Sequence, residues 1–187
     1  MTDVPLDAHE HAEHAEHAAH SGDSFTQQVS ITIAILAVLA AVAGSLETFE
    51  SSGAIIAANE AVLHQDQATD QWDLFQAKSL KKNLFGLAAD NGGPKADAYK
   101  AKSKDEGKGA DDAQGKAKDF EAESAKNMAK SNEHEHHHHW LSIAATLLEM
   151  GIAISTIAII TKKRWPWMIS VGLGLAGTVV AALGYLT

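Results

Sequence analysis

Three long runs of apolar residues interrupt an otherwise polar chain. Residues 29–46 carry no charge, residues 140–160 carry one, Glu149, and residues 165–186 carry none. Each run is close to the ~20 residues that a helix needs to cross the hydrocarbon core of a bilayer. Backbone polar groups in hydrocarbon must bond within their own segment, so isolated runs of this length predict transmembrane helices. Ser24-Phe25-Thr26-Gln27 has the form of a capping box ahead of the first run. Pro166 opens the third, where a missing N–H costs nothing. Trp140, Trp165, Trp167 and Tyr185 fall at the ends of runs, as an aromatic belt at the membrane interface requires. The competing reading, buried core helices of a soluble protein, would need more core than 187 residues provide. Ala41-Val42-Ala43 has the small-x-small form of a leader cleavage site. The segment before it is acidic and free of Lys and Arg, the reverse of a leader, so the first span is expected to be retained.

Residues 47–139 are polar. Ile56, Leu63, Trp72, Phe75, Leu84 and Leu87 recur there at helical spacings. Asp90-Asn91-Gly92-Gly93-Pro94 is a stop-and-turn signal. Beyond it, Ala110, Ala113, Ala117, Phe120, Ser124 and Asn127 alternate threes and fours, the spacing of a narrow coiled-coil seam. Gly107, Gly109 and Gly115 each weaken that helix by ~1 kcal/mol relative to Ala. The pattern predicts an antiparallel helical hairpin with a firm first arm and a marginal second arm; the alternative leaves the second arm disordered. The expected architecture is an all-α membrane protein. Its segments are an acidic His/Glu-rich start (1–28), a span (29–46), the hairpin (47–139, turn at 90–94), a span (140–160), a basic loop (161–164) and a span (165–186).

Charge refines this picture. The chain has 15 Lys and Arg against 24 Asp and Glu, a formal charge of −9. That balance argues against nucleic acid as a partner, which calls for a basic patch. The absence of Cys excludes disulfides, thiolate metal sites and a cysteine nucleophile. Lys162, Lys163 and Arg164 sit in a very short loop, where the positive-inside rule acts most strongly. They place that loop and the N-terminus in the cytoplasm and residues 47–139 on the far side, against an opposing contribution from Lys126 and Lys130.

Candidate chemistry lies in two histidine clusters and one acid. His9, His11, His14, His17 and His20 interleave with Glu10, Glu13 and Glu16. His134, His136, His137, His138 and His139 directly precede Trp140. Imidazole and carboxylate suit zinc, nickel or copper, bound weakly if at all, and histidine titrates near neutrality. The plain alternatives are a solvated tail and an interfacial polar collar. Glu149 is tenth in its 21-residue run, near the bilayer centre. An ionisable group at that depth marks either a proton or cation relay or a structural contact to a neighbouring helix, through Thr146 or Ser142. Ser170, Gly174, Thr178 and Ala182 form a small-residue stripe for close packing. No phosphate loop, dinucleotide fingerprint or nucleophile elbow is present, so an enzyme reading has no anchor.

Ala58-Asn59-Glu60-Ala61, Asp70-Gln71-Trp72 with Phe75-Gln76-Ala77-Lys78-Ser79, and Thr161-Lys162-Lys163-Arg164-Trp165 carry a resemblance. They are similar to a family of small bacterial membrane proteins known as a domain of unknown function, as are the His/Glu-rich start and the second His cluster. The resemblance implies a bacterial inner-membrane protein with three spans and a helical insert, and no assigned activity. The expectation is therefore a non-enzymatic structural, scaffolding or accessory subunit without a firm cofactor. It would work through its hairpin as a homo-oligomer or as part of a larger membrane complex. Ile56, Leu63, Trp72 and Phe75 are the candidate association surface, because an Ala-lined second arm cannot cover them. The alternative is a metal- or proton-responsive ion-handling protein built on the His clusters and Glu149.

Overall fold

The computed structural model describes residues 24–186, which are all-helical with no strand among them. Among the described residues there are three helices: α1 (Ser24–Asp90), α2 (Ala96–Thr161) and α3 (Arg164–Leu186). Each contains a stretch long and apolar enough to cross a membrane. Helices α1 and α2, of 67 and 66 residues, continue without a break from apolar into polar sequence. The chain divides into two compact units, residues 24–53 with 133–186, and residues 54–132.

In the first unit all three helices pack together. On α1, Val29, Ile33, Leu36, Ala40 and Ala43 alternate fours and threes, and this stripe meets Ala145, Leu148 and Ile152 of α2 in one buried cluster. Helix α3 packs through small residues: Ser170 hydrogen-bonds Ser155, and Gly174 lies against Leu36. The Ser170–Gly174 part of the expected stripe is thus spent inside the chain, while the Thr178 hydroxyl donates to Gly174 O at 2.8 Å. Large apolar side chains face outward instead, among them Ile31, Ile35, Val38, Val42, Leu175 and Val179. Only 33%, 39% and 22% of the three apolar stretches is buried. A soluble core would bury most of such a stretch. Small residues between helices and large ones outside is the arrangement that suits lipid.

The second unit is an antiparallel helical hairpin with a small-residue seam. Ala54, Ala57, Ala61 and Ala68 of α1 are buried, as are Ala110, Ala113, Ala117, Ser124 and Asn127 of α2. The backbones come close enough for side chains to reach across to carbonyls. Ser103 donates to Lys82 O at 2.9 Å, Ser124 to Ala61 O at 2.8 Å and Ser131 to Ala54 O at 2.9 Å. In each pair the residue numbers add to 185, so one register runs the length of the unit. The second arm is a continuous helix despite its three glycines. At two of them, Gly107 and Gly109, the stems of Lys82 and Lys78 lie across the backbone. Lys78 also pairs with Glu106 at 3.3 Å. At the turn, Gly92 and Gly93 have φ of 75° and 101°, values that residues with a Cβ rarely adopt. Asn91 N–H and Gly92 N–H close the end of α1 onto the Leu87 and Ala89 carbonyls.

Candidate functional site

Just beyond the first apolar stretch, α1 carries Glu47 and Glu50 on the side facing the other two helices. Glu50 is only 5% exposed. Burying a carboxylate is costly unless its oxygens are supplied with donors, and here they are. His134 Nδ1 lies 2.6 Å from Oε2, and the Tyr185 hydroxyl donates to Oε1 at 3.1 Å. A carboxylate only accepts, so the proton of the first bond sits on His134 Nδ1. The donors come one from α2 and one from the end of α3, so a single side chain ties three helices. His137 completes the shell: its ring stacks on Tyr185 at 5.4 Å, and its Nδ1 is 3.8 Å from Glu50 Oε2. Gly53, one turn from Glu50, makes room for His134, because a Cβ there would stand 3.0 Å from the imidazole.

Burial pushes the Glu50 carboxyl upward. The hydrogen bonds from His134 and Tyr185, and the charge of His134 and His137, outweigh that and hold it below its ordinary value. The arrangement keeps a carboxylate ionised where little water reaches, with two imidazoles beside it.

The other predicted residues are distributed around this centre rather than gathered in it. At 3.6 residues per turn, five histidines within six positions cannot all face one way. His138 Nε2 lies 3.5 Å from Glu47 Oε1, in a shallow recess shared with Thr48, Ser51 and Ser52. His136 turns outward and accepts from the Trp140 indole N–H at 3.2 Å. His139 is exposed. Among the described residues no three His, Asp or Glu side chains are grouped as a metal ion would need. His9, His11, His14, His17 and His20 lie outside the described residues. Glu149 is on the exposed face of α2 and has no hydrogen-bond or ion-pair partner among the described residues; the Thr146 hydroxyl is given to Ser142 O instead.

At the far end of the first unit, α2 and α3 are joined by Lys162 and Lys163, both exposed, with Lys162 at a left-handed φ of 51°. Arg164 lies over the Phe25 ring at 6.0 Å, and Trp167 meets the same ring edge-on while donating to Thr32 Oγ1 at 3.0 Å. Trp165 is exposed. In the hairpin, Ile56 and Leu63 are 60% and 55% exposed. Trp72 and Phe75 are half-buried; they pack edge to face, and the Trp72 indole donates to Glu121 at 2.8 Å.

From the sequence Tyr185 reads only as an aromatic-belt residue and Glu50 is not singled out, so neither is expected in a site. Glu50 is 84 residues from His134 and 135 from Tyr185, and no spacing rule links such distant positions. The available signal was an acid at the edge of one apolar run and histidines at the edge of another.

Among the described residues these features define an all-helical protein of three membrane-compatible helices, the first two of which run on into a hairpin, and a buried polar tie within the three-helix unit. Residues 25–187 match the family described as Domain of unknown function (DUF4337), and the chain belongs to that family. No curated protein and no solved structure matches it.

Proposed function

We propose that the chain is a three-span, non-enzymatic protein of the bacterial inner membrane whose hairpin serves as a scaffold. The hairpin joins copies to one another or docks on a larger membrane assembly. The observation that carries this reading is the face beside the Ala seam. Ile55, Ile56, Val62 and Leu63 are each more than half exposed, outside the apolar stretches. The seam closes on alanine, so the hairpin folds without these side chains and leaves them uncovered. A patch of that kind on a polar surface suits a protein partner. The Lys162–Arg164 loop supports an orientation with the N-terminus in the cytoplasm and the hairpin in the periplasm.

The test is sedimentation equilibrium of the full chain in detergent, wild type against the double variant Ile56→Glu, Leu63→Glu. Covering an Ile or Leu fully stabilises by roughly 1.5–3 kcal/mol, so wild type should associate and the double variant should associate far more weakly. Wild type that stays monomeric at micromolar concentration would sink self-association through the hairpin.

A second reading, proton response, is favoured by the Glu50–His134–Tyr185 tie, which joins three helices through one buried carboxylate. If Glu149 also relays protons, flux into proteoliposomes is present in wild type and lost in Glu149→Gln. The scaffold reading expects no flux in either.

A further inference from the structure

We infer that the α2 face containing Glu149 is the contact between two copies of this chain within the membrane. The inference rests on the membrane reading above.

Glu149 stands midway along the apolar stretch of α2, exposed, with no partner among the described residues. Neighbours on that side are apolar: Ile143, Met150 and Ile157 are all more than a third exposed. In water such a carboxyl would be solvated and unremarked. In hydrocarbon it needs a polar partner at its own depth. No other described residue of the chain supplies one. A second copy inserted the same way does, because its own Glu149 lies at that depth. One carboxyl in its protonated form then donates to an oxygen of the other.

The positions around Glu149 fit that occupant. Ser142, Thr146, Glu149, Ala153, Thr156 and Ile160 alternate fours and threes, the period of a left-handed two-helix seam. They are exposed or half-buried, and all but Glu149 and Ile160 are small. The outward residues of α1 and α3, such as Val38 and Val179, are branched and apolar and suit lipid. Thr146 and Thr156 give their hydroxyl protons to Ser142 O and Ile152 O, which leaves their oxygens free to accept across the seam. A contact about a two-fold axis along the membrane normal sets each seam residue against itself, so one face serves both copies.

The chain has no cysteine, so a single introduced one is the sole thiol. Full-length Thr146→Cys, Ala153→Cys, Val38→Cys and Val179→Cys are each reconstituted at low protein-to-lipid ratio and oxidised. The expected result is covalent dimer from the two seam variants and little from the other two. In the Cys-free background, Glu149→Leu should raise the dimer dissociation constant in the bilayer by roughly 3- to 20-fold, the range for an interhelical hydrogen bond. Glu149→Gln, whose amide pairs with its mate, should stay near wild type. Equal cross-linking at Val38 or Val179, none at the seam, or undiminished dimerisation of Glu149→Leu would overturn the inference. Extraction of the same vesicles with alkaline carbonate separates the two levels: a chain that washes off refutes the membrane reading, whereas one that is retained without seam cross-links refutes only this contact.

Discussion

Glu50 accepts hydrogen bonds from two other helices while almost wholly buried, and both properties bear on how the first unit responds to acid. In the unfolded chain its carboxyl titrates near 4.5; in the folded chain it titrates lower. The group therefore contributes its full stabilisation above about 4.5 and loses it as pH falls through the folded value. Replacing it should show this directly. Glu50→Ala leaves His134 Nδ1–H and the Tyr185 hydroxyl without their acceptor and should cost roughly 1.5–3 kcal/mol near neutrality, the range for a hydrogen bond to a charged group. Glu50→Gln keeps an acceptor but cannot titrate. Thermal melts of wild type and Glu50→Gln from about pH 7 to about pH 3 should diverge on the acid side, with wild type falling more steeply. Parallel acid limbs would mean that the tie does not control the response.

The hairpin is decided by residue size rather than by hydrophobicity. Ala68 and Ala117 are 0% exposed in a seam tight enough for three serines to reach carbonyls on the other arm. Leu and Ala have similar helix propensities, so Ala117→Leu isolates the steric effect. Overpacking of a tight core costs typically 1–3 kcal/mol, whereas Ala122→Leu on the exposed face of the same arm should stay within about 0.5 kcal/mol. Urea unfolding followed by circular dichroism compares them; equal midpoints would mean that the seam has room. The α2 half of this seam was legible in the sequence, because Ala110, Ala113 and Ala117 alternate threes and fours with Ser124 and Asn127. The α1 half was not. Ala54, Ala57, Ala61 and Ala68 are as periodic, but the large residues beside them, Ile56 and Leu63, carry the stronger apolar signal and lie outside the seam. The second arm reads as marginal when its glycines are counted alone. The contacts that hold it, such as Lys78 with Glu106 and the Phe85–Tyr99 stack at 6.1 Å, join positions across the turn and are not visible locally.

Across the whole chain, the boundaries between apolar and polar sequence were readable at once, because lipid and water impose different compositions. What composition does not encode is direction. The two-residue link of Lys162 and Lys163, followed by Arg164, is the strongest directional signal. A reporter that works only outside the cytoplasm, inserted at the exposed Gly92-Gly93 turn, should be active, and the same reporter after Thr187 should also be active. Activity confined to a reporter at the Lys162–Lys163 link would reverse the orientation. The shared register of the hairpin has a consequence of a different kind, for how such a gene can change. Serines at 103, 124 and 131 meet carbonyls at 82, 61 and 54, at intervals of seven or multiples of seven. Deleting a few codons on one side of the turn, between Lys82 and Ser103, would set every one of these serines against the wrong carbonyl. A loss of seven codons is tolerable when the other arm loses seven as well. The lengths of the two arms are thereby tied, and workable variants should differ from this chain by matched heptads placed on either side of the glycine turn.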